Sequence, residues 1–234
     1  MGFVLADKIN QAINQNGFVG AIVYGGQRLG KSSYALKTAY QIYGDWDKVN
    51  ECVLYKLSDV VKVIKDAING GYKVPCIIWD DAGVHANRLL YFAERDLVRY
   101  LENMLDVIGT HVSSLILTTP NPLNLLLAIR GFEFYRIKVY RKDAYNGRYA
   151  VGYNSVLLPS GTRLIRREFS DNYNVRLPDD FYAKYMIKRN GYLKDAINQL
   201  ESIGKQMGSG GEGVLCENKV DRDERTSEVA AVIG

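Results

Sequence analysis

Apolar positions in this chain follow two regimes, and the change between them falls near residue 140. Up to that point, short continuous apolar runs alternate with stripes at helical spacing. Leu5, Ile9, Ala12 and Ile13 predict a short amphipathic helix over residues 3–14, closed by Asn16-Gly17. Phe18 to Tyr24 is a β-prone run suited to a buried strand, and Ala35, Leu36, Ala39, Tyr40 and Ile42 mark a helix over Ser33–Tyr43. Glu51 to Leu57 reads as a second strand. Ser58 is the expected N-cap of a helix striped by Val60, Val63, Ile64, Ala67 and Ile68 and stopped by Gly70-Gly71. Val74 to Trp79 is a third strand, followed by a long helix within residues 89–108 that lines up Leu97, Leu101, Met104, Leu105 and Ile108. Ser114 to Thr119 is a fourth strand, stopped by Pro120 and Pro122. A helix over residues 123–129 then leads to a fifth strand, Phe132 to Tyr140. Such alternation predicts an α/β fold with a parallel sheet covered on both faces.

Beyond residue 140 the period shortens. Asn146-Gly147 and Pro159-Ser160-Gly161 are turn signals between alternating segments, so residues 141–169 are expected to form a β-hairpin appendage. Leu177-Pro178-Asp179-Asp180 opens a last helix towards Ile203, with Asn190-Gly191 as the place where it would break. The expected organisation is an N-terminal helix (1–15), a core (16–140), the hairpin with its helix (141–203) and a disordered tail (204–234).

Composition adds little to this picture. Of the 234 residues, 47% are hydrophobic and 24% charged, ordinary for one globular α/β domain with an appendage. No apolar run reaches the length of a membrane span, and no signal peptide or myristoylation pattern is present at the start, where Ala6 replaces the needed Ser or Thr. Cys52, Cys76 and Cys216 lack metal-ligand spacing, so a reducing cytoplasm is expected. His85 and His111 stand alone and read as structural.

Charge changes the picture more. The formal net charge of +4 conceals an acidic tail and a basic stretch: residues 130–167 hold nine Lys and Arg against Glu133 and Asp143. Tyr135, Tyr140, Tyr145, Tyr149 and Tyr153 are interleaved with them. Arg141, Lys142, Arg148, Arg163, Arg166 and Arg167 are therefore candidate DNA contacts, against the alternative of a hairpin with merely solvated charges.

The most specific chemistry lies at the first strand–helix junction. Gly25-Gly26-Gln27-Arg28-Leu29-Gly30-Lys31-Ser32-Ser33 matches the phosphate-loop pattern G-x-x-x-x-G-K-[ST] in the strand-loop-helix context that the pattern requires. Its backbone N–H groups and the helix N-terminus would cradle phosphates, with Lys31 on the β and γ phosphates and Ser32 on Mg²⁺. Four apolar residues ending in Asp80-Asp81 resemble a Walker B segment, with Asp80 holding the metal and Asp81 orienting or deprotonating water. Thr118 or Thr119, ending the fourth strand, is the candidate polar sensor, and either also reads as an ordinary strand-end threonine. Arg130 is a candidate arginine finger acting in a neighbouring subunit, or a surface residue.

In this order, the Gly25–Ser33 loop, Ile77-Ile78-Trp79-Asp80-Asp81-Ala82-Gly83, Thr118-Thr119-Pro120-Asn121-Pro122 and Tyr173-Asn174-Val175-Arg176-Leu177-Pro178 resemble the DnaA-like P-loop ATPase of spindle-shaped viruses and plasmids of hyperthermophilic archaea. The resemblance spans about residues 16–190. It implies an oligomeric AAA+-type ATPase that uses ATP and Mg²⁺ on DNA, in replication initiation or a related step. The strand order 5-1-4-3-2 is expected of such a P-loop fold. No guanine-selecting motif is visible, so ATP is the expected nucleotide. The chain departs from bacterial DnaA in having no recognisable helical lid with a second sensor and no helix-turn-helix. Three alternatives remain: a genome-packaging or DNA-translocating ATPase, a small-molecule or nucleoside kinase, and a nucleotide-regulated DNA-binding scaffold.

Overall fold

The computed structural model describes residues 2–82, 103–142 and 146–209. Gly83, His85, the predicted helix up to residue 102, Asp143, Tyr145 and residues 210–234 with Cys216 lie outside the described residues, while residues 204–209 of the expected tail are helical. Two compact units divide the chain, Met1–Asn190 and Gly191–Gly234, and every residue of the site described below belongs to the first.

The elements of the first unit begin with α1 (Val4–Asn14), β1 (Val19–Tyr24), α2 (Lys31–Tyr43), α3 (Trp46–Cys52), β2 (Val53–Leu54), α4 (Leu57–Gly70) and β3 (Ile77–Trp79). There follow β4 (Ser114–Thr119), α5 (Leu127–Gly131), β5 (Tyr135–Arg141), β6 (Gly147–Leu157) and β7 (Arg163–Asn174), and α6 begins at Asp179 and runs to Ser209 in the second unit. Residues 103–107, the described end of the predicted long helix, are helical.

The seven strands among the described residues form one mixed sheet of an α/β fold, in the order β2-β3-β4-β1-β5-β6-β7. Neighbours from β2 to β5 run parallel, whereas β5–β6 and β6–β7 are antiparallel. The sheet is thus wider than the predicted five-stranded parallel one. The hairpin is no separate appendage, because β6 pairs along β5 from Arg136–Tyr153 to Arg141–Arg148 and continues the ladder. Of the two predicted turns, residues 158–162 join β6 to β7, whereas residues 143–145 before Asn146 lie outside the described residues and Gly147 already opens β6.

Burial follows the two regimes of the sequence. Every residue of β3 and β4 is buried, as are the four central residues of β1, because helices and loops cover both faces there. Ile22, Ile77, Trp79, Leu115 and Leu117 meet Val60 and Ile64 of α4 and Leu126 and Ile129 at α5 in one apolar core. The outer strands alternate instead. Along β7, Phe169, Asp171 and Tyr173 are buried while Ser170 and Asn172 are exposed. Burial of such side chains is worth roughly 25 cal/mol per Å² of apolar surface and dominates the stability of this layer.

One element differs from expectation. The predicted strand Glu51–Leu57 keeps two strand residues, Val53 and Leu54, because α3 extends to Cys52 and α4 starts at Leu57. Asp45 starts α3 by accepting the Asp47 N–H at 2.8 Å, and Trp46 stacks on Tyr40 and packs on Phe181, contacts invisible to local pattern. Lys56, not Ser58, is the N-cap position of α4, and no side chain caps it.

Candidate functional site

Parallel register brings the ends of three strands to one edge. Val23 of β1 stands opposite Thr118 of β4, and Trp79 of β3 opposite Leu117, so the residue after Trp79 reaches the level of Thr118. The Gly25–Ser33 loop leaves β1 here, and Asp80-Asp81 leaves β3.

The loop is shaped by backbone states that few side chains tolerate. Gly25 has φ +148° and Gly30 φ +92°, and Arg28 between them is also left-handed at φ +58°. Any side chain at Gly30 would start 2.5 Å from the Val175 methyl Cγ1, and one at Gly25 would start 3.0 Å from the Val139 carbonyl. Gly26, Gln27 and Arg28 form the exposed rim, whereas Leu29, Ser32 and Ser33 are half-buried. α2 starts at Lys31, and Tyr34 N–H closes its first turn on the Gly30 carbonyl at 3.0 Å. Lys31 is 8% exposed and donates Nζ to the Gly26 carbonyl at 2.9 Å, so it lies across the loop. Burial lowers its pKa, opposed by the charges of Asp81 and Asp80.

Asp80 ties the two motifs together. It is 1% exposed, and its Oδ1 accepts Ser32 Oγ at 2.8 Å and Thr118 Oγ1 at 2.5 Å. Its Oδ2 accepts Tyr185 OH at 2.7 Å. Thr118 Oγ1 in turn accepts the Asp81 N–H at 2.9 Å. Asp81 is left-handed at φ +52°, and its Oδ2 accepts Arg189 Nη2 at 2.7 Å. Burial and the neighbouring Asp80 raise the Asp81 pKa above the usual carboxylate value, with Arg189 and Lys31 pulling it back.

Of the two threonine candidates, only Thr118 touches the acids. The Thr119 hydroxyl, fully buried, bonds the Asn121 carbonyl at 3.1 Å and shapes the turn after β4. Arg130 lies on α5, where its own carbonyl accepts Arg136 Nη2 at 3.0 Å. Among the described residues it makes no hydrogen bond to Lys31, Ser32, Asp80 or Asp81.

Sequence reasoning gives no site role to Tyr185, which enters only as part of the resemblance, or to Arg189, although both lie on the last predicted helix. α6 reaches the acids because Phe181 packs on Trp46, and Lys188 Nζ bonds the carbonyls of Asn50 and Val53 at 2.7 and 2.6 Å. Positions 181, 185, 188 and 189 share one helical face. That spacing is the available signal, but nothing local says what the face meets.

The basic set divides. Arg141, Lys142, Arg166 and Arg167 are exposed, and Arg163 opens β7. Arg148 is a correction: it is 5% exposed, and its Nε donates to the Leu29 carbonyl at 3.1 Å, so it faces the glycine loop instead of solvent. Its cross-strand pairing with Tyr173 turns it inward, which composition could not reveal.

The donor set fits a magnesium-bound triphosphate. The loop from Gly25 leads into the N-terminus of a 13-residue helix, beside one buried lysine and a Ser–Asp pair at hydrogen-bond distance. Magnesium takes few protein ligands and keeps water and phosphate oxygens. The lack of any cluster of three or more His, Cys, Asp or Glu ligands among the described residues therefore does not conflict with such a site. No helix among the described residues is long and apolar enough to cross a membrane.

No family model matches the chain. It is 28% identical over 218 residues to uncharacterized protein B-251 of Sulfolobus spindle-shape virus 1, covering 85% of this chain and 84% of that protein. It is 32% identical over 165 residues to uncharacterized protein ORF286 of Acidianus two-tailed virus, covering 68% of this chain and 58% of that protein. The chain is thus similar to proteins of two archaeal viruses.

Proposed function

We propose that the chain is a P-loop ATPase of the AAA+ type that hydrolyses ATP and acts on DNA as an oligomer. The observation that carries this reading is the 2.8 Å bond from Ser32 to Asp80, which joins the glycine loop to the acid pair. In the proposed site, loop amides and Lys31 hold the β and γ phosphates, and Ser32 and Asp80 hold Mg²⁺. The metal, when bound, neutralises charge on the phosphate oxygens. Asp81 accepts a proton from the attacking water, a role favoured by a pKa raised towards the working pH. Thr118 fixes both acids, through its hydroxyl on Asp80 and the Asp81 N–H on that hydroxyl.

Strand order bears on the alternatives. β4 stands between β1 and β3, which speaks against a nucleoside kinase, where those two strands are adjacent. Arg130, unbonded to its own acids, suits a role in a neighbouring subunit. The exposed Arg141, Lys142, Arg166 and Arg167 supply phosphate contacts for DNA, in replication initiation or in packaging.

ATP turnover by the purified protein, measured with and without DNA across a salt series, tests this. The expected result is Mg²⁺-dependent turnover stimulated by DNA, with stimulation falling steeply as salt rises. No turnover under any of these conditions would overturn the enzymatic reading. Turnover insensitive to DNA would remove the DNA part alone.

A further inference from the structure

The antiparallel half of the sheet reaches the glycine loop through two side chains. Arg148 of β6 and Tyr173 of β7 are direct cross-strand partners. Both are buried, at 5% and 9% exposure, and both end on loop carbonyls. Arg148 Nε donates to Leu29 at 3.1 Å and Tyr173 OH to Gly30 at 3.0 Å. Burial raises the Tyr173 pKa above the ordinary phenol value, which keeps its hydroxyl a neutral donor.

A trans peptide is planar, with its C=O and N–H pointing opposite ways. A carbonyl held from behind therefore fixes the direction of the next residue's N–H. With Leu29 C=O turned to Arg148 and Gly30 C=O to Tyr173, the N–H groups of Gly30 and Lys31 are turned away from the β6–β7 ribbon. These are the amides that a phosphate would meet at the start of α2. The Gly30 carbonyl is held jointly by Tyr173 and by the Tyr34 N–H at 3.0 Å that starts α2. Gly30, at φ +92°, gives the preceding Leu29 peptide no strong intrinsic preference, so the Leu29 carbonyl depends on Arg148.

Both donors are themselves anchored. Arg148 also donates Nη1 to the Gly147 carbonyl at 2.7 Å. The Tyr173 ring packs on Tyr34 at 5.3 Å and Phe3 at 6.0 Å. Asp171, two residues before Tyr173 on the same face, accepts Tyr34 OH at 2.6 Å and the Val4 N–H at 2.8 Å. The ribbon, α2 and the start of α1 are thereby locked together behind the loop.

We infer that Arg148 and Tyr173 are positioning residues for the phosphate site: they clamp the Leu29 and Gly30 carbonyls so that the following amides are pre-aimed at a nucleotide's phosphates. This rests on the nucleotide reading above and assigns the β6–β7 ribbon a part in it.

The test compares wild type with Tyr173→Phe, Arg148→Met and Arg148→Lys. Hydrogen exchange of residues 25–33 is followed without nucleotide, together with melting temperature, Mg·ADP affinity and steady-state kinetics. A clamp predicts faster loop exchange, with β1 and β4 exchange unchanged. It also predicts KM raised about threefold in Tyr173→Phe and about tenfold in Arg148→Met, the range expected when one hydrogen bond is removed, with kcat within about twofold and partial recovery in Arg148→Lys. Unchanged loop exchange and unchanged ADP affinity in folded variants would overturn the clamp while leaving the nucleotide site standing. If wild type binds neither ADP nor ATP, both readings fall.

Discussion

The two halves of the sheet divide the labour. In the parallel half, β3, β4 and the centre of β1 are buried, and the strands deliver Lys31, Ser32, Asp80, Asp81 and Thr118 to one edge. In the antiparallel half, β6 and β7 alternate between a packed and an open face. Their inward side chains Arg148 and Tyr173 reach the back of the glycine loop. The candidate site groups thus stand at the ends of strands packed within the core, and the support behind the loop comes from strands that face water on one side. In the proposed ATPase, substitutions in the first half should change turnover, and those in the second should change affinity and the response to DNA.

The largest effect is expected at Asp80. Asp80→Ala leaves Ser32, Thr118 and Tyr185 hydroxyls without their acceptor. A chemical-denaturation curve should show a loss of about 3 kcal/mol or more, at roughly 1 kcal/mol or above per orphaned buried donor, and turnover should vanish. A stability unchanged from wild type would mean that these bonds do not form.

Asp81→Asn should separate chemistry from stability. The folded-state pKa of Asp81 lies above its unfolded value, so its contribution to stability is full below the unfolded pKa and is lost as pH rises through the folded one. Ionising the acid in the folded protein is therefore a net cost. The variant should melt no lower than wild type while losing about a hundredfold in turnover, typical of a missing general base.

Arg189→Met sharpens this further. Removing the cation that pulls the Asp81 pKa down should move the acid limb of the pH–rate profile to higher pH. An unmoved limb would assign that titration to another group.

Within β4, Thr118→Val should cost about tenfold in turnover, whereas Thr119→Val should stay within about twofold, because only the first hydroxyl reaches an acid. Equal effects would break the distinction between neighbouring positions. Smallest is the effect of Arg166→Ala with Arg167→Ala. Intrinsic turnover should hold, while the plot of log affinity for DNA against log salt becomes shallower by about one unit for each phosphate no longer neutralised.

How much of this is legible in the sequence follows from the range of the forces involved. The glycine loop is encoded locally: Gly25 and Gly30 hold positive-φ positions, and the strand and helix that flank it are short-range patterns. The acid pair is legible for the same reason. What Asp80 and Asp81 bond to is not, because Tyr185 and Arg189 are more than a hundred residues away and arrive through the docking of α6 on α3. The choice between Thr118 and Thr119 needs the register of β4 against β1 and β3. Arg148 escapes the sequence because a basic stretch is read by composition, whereas its inward turn depends on which face of the ribbon meets the loop. The α3 helix escapes it because aromatic packing of Trp46 on Tyr40 and Phe181 outweighs a β-prone local run.

Calorimetric titration of ATP into wild type and Lys31→Ala, each with Mg²⁺ and with chelator, tests the central claim most directly. Wild type should bind one ATP per chain, more tightly with Mg²⁺. Lys31→Ala should lose about a hundredfold in affinity or more, while melting no lower without nucleotide, since the buried cation it removes is itself a cost. Equal affinity of the two proteins, or no binding by wild type, would contradict a phosphate site at this loop.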